Sequence, residues 1–196
     1  MKKLIVTLST AVALLLIGAT DSEAAATSHS VTAGDSLYKI SQKYNIPVEA
    51  IQKVNNKKSS LIYPGETIKI PTSISDSEKD LLARLVRAEA EGESYAGKVA
   101  VAVVVLNRVD HPDFPNTVRE VIEEVTPTGH YAFSPFLNGE IDKPADAESK
   151  RAVSEAIAFR GQGQGSLFFY NPVIATNHWN ATRTETIRIG NHVFSK

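Results

Sequence analysis

The sequence predicts an α+β protein of two modules in series: a small strand, helix, helix, strand unit, then a larger and mainly helical domain ending in a small antiparallel sheet. Three observations carry this prediction. Across residues 28–71 the apolar pattern alternates, turns helical twice, and alternates again. From Asp80 to about Gly161, apolar residues recur at helical spacing between good capping residues. The tail from Ser166 returns to short alternating runs broken by Gly, Pro and Asn.

Ahead of both modules stands a segment with its own logic. Lys2 and Lys3 precede an almost wholly apolar run from Leu4 to Ala19, and small residues follow to Ala26. Residues 1–25 read as a secretory signal peptide. The apolar run is shorter than the ~20 residues of a spanning helix, so no stable membrane anchor is expected after cleavage.

In the first module, "HSVTA" alternates as a strand and Asp35 or Ser36 caps the helix carrying Leu37 and Ile40. Pro47 suits the first turn of a second helix with Val48, Ile51 and Val54 on one face. "YPGE" turns the chain and "TIKIP" alternates as the closing strand. Residues 72–77 are small and polar and read as a linker to the second module, residues 78–196.

The second module opens with "DLLARLVRAEAEGE". Ser77 and Asp80 form a capping pattern, Leu82, Leu85, Val86 and Glu89 share one face, and Gly92 suits the helix end. Arg87 and Glu91 stand four apart as a surface pair. Ser94 caps a long apolar run to Val109, which its length makes a helix despite its valines. Thr117 with Glu120 caps "VREVIEEV", a Gly- and Pro-rich loop follows, and Asp146 starts a helix that stops at Gly161. "SLFFYNP" reads as a strand, and "ETIRIGNHVFS" as a hairpin turning at Gly190 and Asn191.

Composition removes several functions. A net charge of −1 gives no general electrostatic case for nucleic acid. The absence of cysteine excludes thiol catalysis and cysteine metal sites, and leaves packing alone to stabilise an exported chain. The five histidines lack metal spacing, so neither a metal nor a cofactor is expected.

The residues also carry two resemblances. "VTAGDSLYKIS", "NN" and "LIYPGETIKIP" make the first module resemble a LysM domain. That resemblance implies binding to N-acetylglucosamine-containing glycans, in a shallow groove between the loop before the first helix and the loop before the last strand. Gly34, Asp35 and Ser36 would supply polar donors there, Ile62 and Tyr63 apolar surface, and Asn55 stands in the "NN" motif. The second module, through "AEAEGESYAGKVAVAVVVLNRV", "FPNTVREVI", "AFSP", "LFFYNP", "HWN" and "IGNHVF", resembles the SleB-type cell-wall hydrolases, which include spore cortex-lytic enzymes. The likeness implies a lysozyme-like fold that cuts the glycan strand of peptidoglycan, with Glu89 as catalytic acid and Glu93 as the second acid of the same motif.

A carboxyl that ends an apolar stripe is partly desolvated, and the like charge of Glu93 one turn on would act in the same direction, so the pKa of Glu89 should rise. A carboxylic acid protonated near neutrality can protonate a glycosidic oxygen. Phe133, Ser134, Tyr170, Asn171 and Trp179 fall in loop or strand-end positions of the motifs and offer aromatic faces, amides and hydroxyls to a saccharide. The resemblance to enzymes with one dominant acid favours lytic transglycosylation between N-acetylmuramic acid and N-acetylglucosamine; a hydrolytic muramidase and a non-catalytic wall-binding protein are the alternatives. The expected partners are peptidoglycan glycan strands and spore or wall proteins, and the expected location is the cell wall or spore cortex after secretion.

Overall fold

A computed structural model describes residues 27–126, 129–175 and 179–196; the expected signal peptide lies outside them. In the N-terminal part, β1 (Thr27–Ser30) and β2 (Thr67–Ile70) pair antiparallel, Thr27 opposite Ile70 and Ser30 opposite Thr67. Between them run α1 (Leu37–Tyr44) and α2 (Val48–Val54). Leu37, Ile40, Ile51 and Ile68 close a core of their own, each side chain contributing on the order of 2 kcal/mol. Ser36 is the cap of α1, accepting from the Lys39 backbone N–H, and Pro47 stands at the cap of α2, one position ahead of its expected place.

The C-terminal part packs α3 (Asp76–Glu89), α4 (Tyr95–Val109), α5 (Val118–Glu123) and α6 (Ala147–Ala158) around a second core, with α3, α4 and α6 in mutual contact. β3 (Phe168–Tyr170), β4 (Glu185–Ile189) and β5 (His192–Ser195) form an antiparallel sheet with β5 central. The α+β class is therefore as expected, and the valine-rich run is a helix. Val101, Val104 and Val105 are all fully buried, so α4 is enclosed by neighbours and shows no polar face along them. Ser94, Thr117 and Asp146 each accept the backbone N–H three residues on, as their spacing predicts.

The cap of α3 departs from expectation. Ser75 and Glu78 make the capping box, two residues before Ser77 and Asp80, so the helix takes in part of the expected linker. Glu78 reaches back to the Ser75 N–H at 3.0 Å, a reach the shorter aspartate lacks.

The two parts meet through buried polar contacts. Arg160, just past α6, donates from Nε and Nη2 to the two oxygens of Asp110 at 3.0 and 2.6 Å, and from Nη1 to the Thr72 carbonyl at 2.6 Å. Its side chain is 1% exposed and that of Asp110 2%. Lys53 of α2 donates to Asn107 Oδ1 of α4 at 2.7 Å. Gly161, at φ +90°, lies so close that a Cβ there would sit 2.5 Å from the backbone nitrogen of Ala50. Only hydrogen fits between those two backbones.

Arg160→Ala leaves Asp110 as an unpaired buried carboxylate, and urea denaturation should show a loss of about 3–5 kcal/mol. Combined with Asp110→Ala, the loss should fall well short of the sum of the two single losses, because the pair acts as a unit.

Candidate active site

The apolar stripe of α3 ends on Glu89. Leu82, Leu85 and Val86 are fully buried, and Glu89, the last residue of the helix, is half-buried above them. Burial raises its carboxyl from 4.5 to about 7, against the opposing effect of hydrogen bonds from the Ser134 hydroxyl and backbone N–H. The Ser134 Oγ donates to Glu89 Oε1 at 3.5 Å. Ser134 is exposed, so the carboxyl stands at the boundary between core and solvent.

Two arginines place that serine. Arg84 donates to the Ile141 carbonyl at 3.1 Å, and Arg87 donates to the Glu140 carbonyl at 2.5 Å and to its carboxylate at 3.1 Å. They pin the loop holding two short 3-10 helices, Ser134–Phe136 and Glu140–Asp142, against the end of α3. The expected Arg87–Glu91 pair is not made: α3 ends at Glu89, which takes Glu91 off the helical face.

Glu93 has a different environment from the one its spacing suggests. Its Oε2 accepts from the Asn191 backbone N–H at 3.1 Å and its Oε1 from the Asn191 amide at 3.0 Å. Burial pulls its pKa up, but the two Asn191 donors and the nearby His192 outweigh that, and the group stays below the ordinary glutamate value. Its charge is not among the causes that raise Glu89, because the chain has left the helix and the carboxylate faces the β4–β5 turn. Gly190 leaves room for it, since a Cβ there would stand 2.2 Å from Glu93 Oε2.

The expected saccharide contacts divide. Tyr170 is half-buried at the end of β3, opposite Val193. Asn171 uses its side-chain oxygen on the Val173 N–H at 3.0 Å and shapes a turn that exposes Val173 and Ile174. Phe133 belongs to the core, not to the solvent boundary: it is 3% exposed, with its ring 5.1 Å from the Arg108 guanidinium and 6.4 Å from Phe169. The alternation of this loop places Ser134 outward and its neighbour inward. Trp179 opens a short 3-10 helix, and its side chain lies outside the described residues. Tyr131, which the sequence did not single out, stacks on Phe136 at 5.3 Å and is partly exposed beside this loop. An aromatic two residues before "FSP" was the available signal.

On the N-terminal part, Gly34 adopts φ +90° in the turn before α1. Asp35 Oδ2 accepts from Thr32 N–H at 2.7 Å, Thr32 Oγ1 at 2.8 Å and His29 Nε2 at 3.1 Å. The Thr32 backbone bond, then His29 and the Thr32 hydroxyl, lower its pKa to about 2. That oxygen builds the turn. The Ser36 hydroxyl is engaged in capping, and the Asn55 amide ties the Ile51 and Lys69 carbonyls and the Lys69 N–H together, so Asn55 joins α2 to β2 with most of its hydrogen-bonding capacity in use. Ile62 packs on the core, whereas Tyr63 is 62% exposed, with exposed Leu61 and Tyr38 as further apolar surface.

Among the described residues no group of three or more His, Cys, Asp and Glu is placed to hold a metal ion, and no helix is long and apolar enough to cross a membrane.

A helical domain with a half-buried glutamate at the solvent boundary, joined to a small βααβ unit, makes a two-module protein with a candidate acid site. Residues 92–195 match the Cell Wall Hydrolase family model and residues 29–71 the LysM domain model, and the chain belongs to the Cell Wall Hydrolase family. The spore cortex-lytic enzyme of Halalkalibacterium halodurans is 38% identical over 64% of this chain and 36% of its own length. Solved catalytic domains of SleB are also similar. That of Bacillus cereus is 39% identical with a TM-score of 0.57, over 65% of this chain and 95% of the other. That of Bacillus anthracis, described as a germination-specific lytic transglycosylase, is 38% identical with a TM-score of 0.57, over 65% of this chain and all of the other. The chain spans between a third and a half of the length of the spore cortex-lytic enzymes it matches. The family match opens three residues after Glu89, so the role of that residue rests on its geometry.

A folded-state pKa raised above 4.5 means that the native chain holds this proton more tightly than the unfolded one, so stability falls as pH climbs from 4.5 through about 7. Glu89→Gln has no charge to bury there. Its stability relative to wild type should increase across that window by on the order of 2 kcal/mol and stay level outside it, as read from urea midpoints on either side.

Proposed function

We propose that the chain is a secreted lytic enzyme of peptidoglycan glycan strands that cleaves between N-acetylmuramic acid and N-acetylglucosamine by lytic transglycosylation. Residues 1–25 serve as its export signal, residues 28–71 hold the polymer, and residues 78–196 cut it. The observation that carries this reading is the Glu89 carboxyl, kept protonated to about neutral pH by burial at the edge of solvent. The names of the relatives, spore cortex-lytic enzymes and a lytic transglycosylase, support the same chemistry and a wall or cortex location.

In the proposed reaction Glu89 gives its proton to the bridging oxygen as the C1–O bond of the muramic residue breaks. The ionised carboxylate then takes the proton of the muramic 6-hydroxyl as that oxygen closes on C1. One group serves both steps, no water is consumed, and the enzyme returns to its starting protonation. Ser134 is the positioning residue, holding the carboxyl at its boundary. Glu93 favours this reading over a two-carboxylate hydrolase. Both of its oxygens are occupied by Asn191, which suits an anchor of the β4–β5 turn better than a nucleophile. Tyr170 is the saccharide contact among the strand-end residues, and Tyr63 the main apolar contact of the LysM part.

Purified sacculi should release fragments with 1,6-anhydromuramic ends under the wild type, detected by mass spectrometry, and none under Glu89→Gln. Reducing ends would overturn transglycosylation, and unchanged release by the variant would overturn Glu89 as the acid. Activity should fall as pH rises through about 7, and Ser134→Ala, which removes a bond that lowers the Glu89 pKa, should move that fall to higher pH.

A further inference from the structure

A cleft of about 840 Å³ lies away from Glu89, in the seam between the two parts. One wall comes from the end of α2 and from β2, with Lys53, Asn56 and Lys69; the other comes from the chain after α4, with His111, Phe114 and Asn116. Its size is that of a pocket for a small ligand, roughly 300–1,000 Å³. It is distinct from the expected LysM groove, which lies by Gly34 and Tyr63 on other loops.

The charges of the cleft are unevenly satisfied. Asp110, at its floor, has both oxygens taken by Arg160. The Lys53 ammonium, with three protons to donate, has one hydrogen-bond partner among the described residues, the neutral Asn107 amide oxygen. Burial lowers its pKa, the Asp110 charge opposes that, and Arg160 adds to it, so an anion beside Lys53 would be stabilising. Lys69 is exposed on the same wall. Glu120, also lining the cleft, is exposed and offers a negative edge. Phe114, Pro112 and Pro115 supply apolar surface between them.

We infer that this seam binds a short peptide bearing carboxylates and one free amine, the chemistry of a peptidoglycan stem peptide, with its carboxylates on Lys53 and Lys69 and its small side chains against Phe114 and the prolines. The inference rests on the proposed function for the choice of polymer. Two features favour a peptide over other wall components. A neutral glycan would prefer the aromatic and amide lining of a sugar site to two ammonium groups. A polyphosphate would meet only two lysines, with Glu120 repelling it at the rim. A peptide with both signs of charge is complementary to both.

The test uses the full chain, 15N-labelled and carrying Glu89→Gln, titrated with two probes: the N-acetylated tetrapeptide N-acetyl-L-Ala–γ-D-Glu–diaminopimelate–D-Ala, which keeps one free amine, and tetra-N-acetylchitotetraose. The peptide should shift the amides of residues 53–56, 69 and 109–116 and leave those of 34–36 and 62–63 unmoved, with the sugar doing the reverse. Lys69→Glu should weaken peptide binding at least ~10-fold, while Lys150→Glu, the same charge change on α6, should leave it as it was. No shift with the peptide, shifts confined to the Glu89 region, equal weakening by both variants, or displacement of the peptide by inorganic phosphate at equal concentration would each overturn the inference. Sacculus digestion by the chain with Glu89 and Lys69 intact, set beside this titration, separates the two readings. Digestion without peptide binding sinks the seam site alone, and peptide binding without digestion sinks the enzymatic reading alone.

Discussion

Everything at the candidate site depends on the apolar seam where α3 lies against α4 and α6. A carboxyl at the end of a helix normally solvates itself by a small swing of its side chain. Glu89 is held back from that because the helix beneath it is fixed by Leu82, Leu85 and Val86, all sealed from water. The energetic cost of the half-buried acid is carried by this packing, which is how a chain with no cysteine and no metal cluster among its described residues can hold a strained group in place.

Around that seam, polar contacts determine what faces the acid. Arg84 pairs with Asp80 along its own helix, yet Arg84 and Arg87 also donate to carbonyls of the loop that presents Ser134. Glu93 and Asn191 fix the β4–β5 turn in the same way. The two glutamates, four residues apart, thus have opposite environments: one is kept protonated by burial, the other ionised by donors. The same residue type performs two tasks because the helix ends between them.

What the sequence disclosed was mostly local. Ser94, Thr117 and Asp146 could be read as caps because a cap is a matter of three residues, and Glu89 could be read because a helical period is counted over one segment. The failures are of two kinds. At the start of α3 two serines compete, and Ser75 caps rather than Ser77 because it has a glutamate at the third position. Phe133 carries the right chemistry for a sugar and is packed into the core, which only long-range contacts decide. The Glu93–Asn191 contact spans 98 residues, and Arg160 finds Thr72 across 88, so no window of the sequence contains either. Of the two causes that the sequence offers for a raised Glu89 pKa, burial acts and the charge of Glu93 does not.

The close approach of Gly161 to Ala50 bears on how such a molecule would work along a polymer. Tethered binding modules usually swing on their linkers and sample many positions. Here main chain rests on main chain and a buried guanidinium crosses the joint, which opposes such swinging of one part against the other. If the two parts hold and cut one strand as proposed, the strand itself has to flex to bring a bond to Glu89.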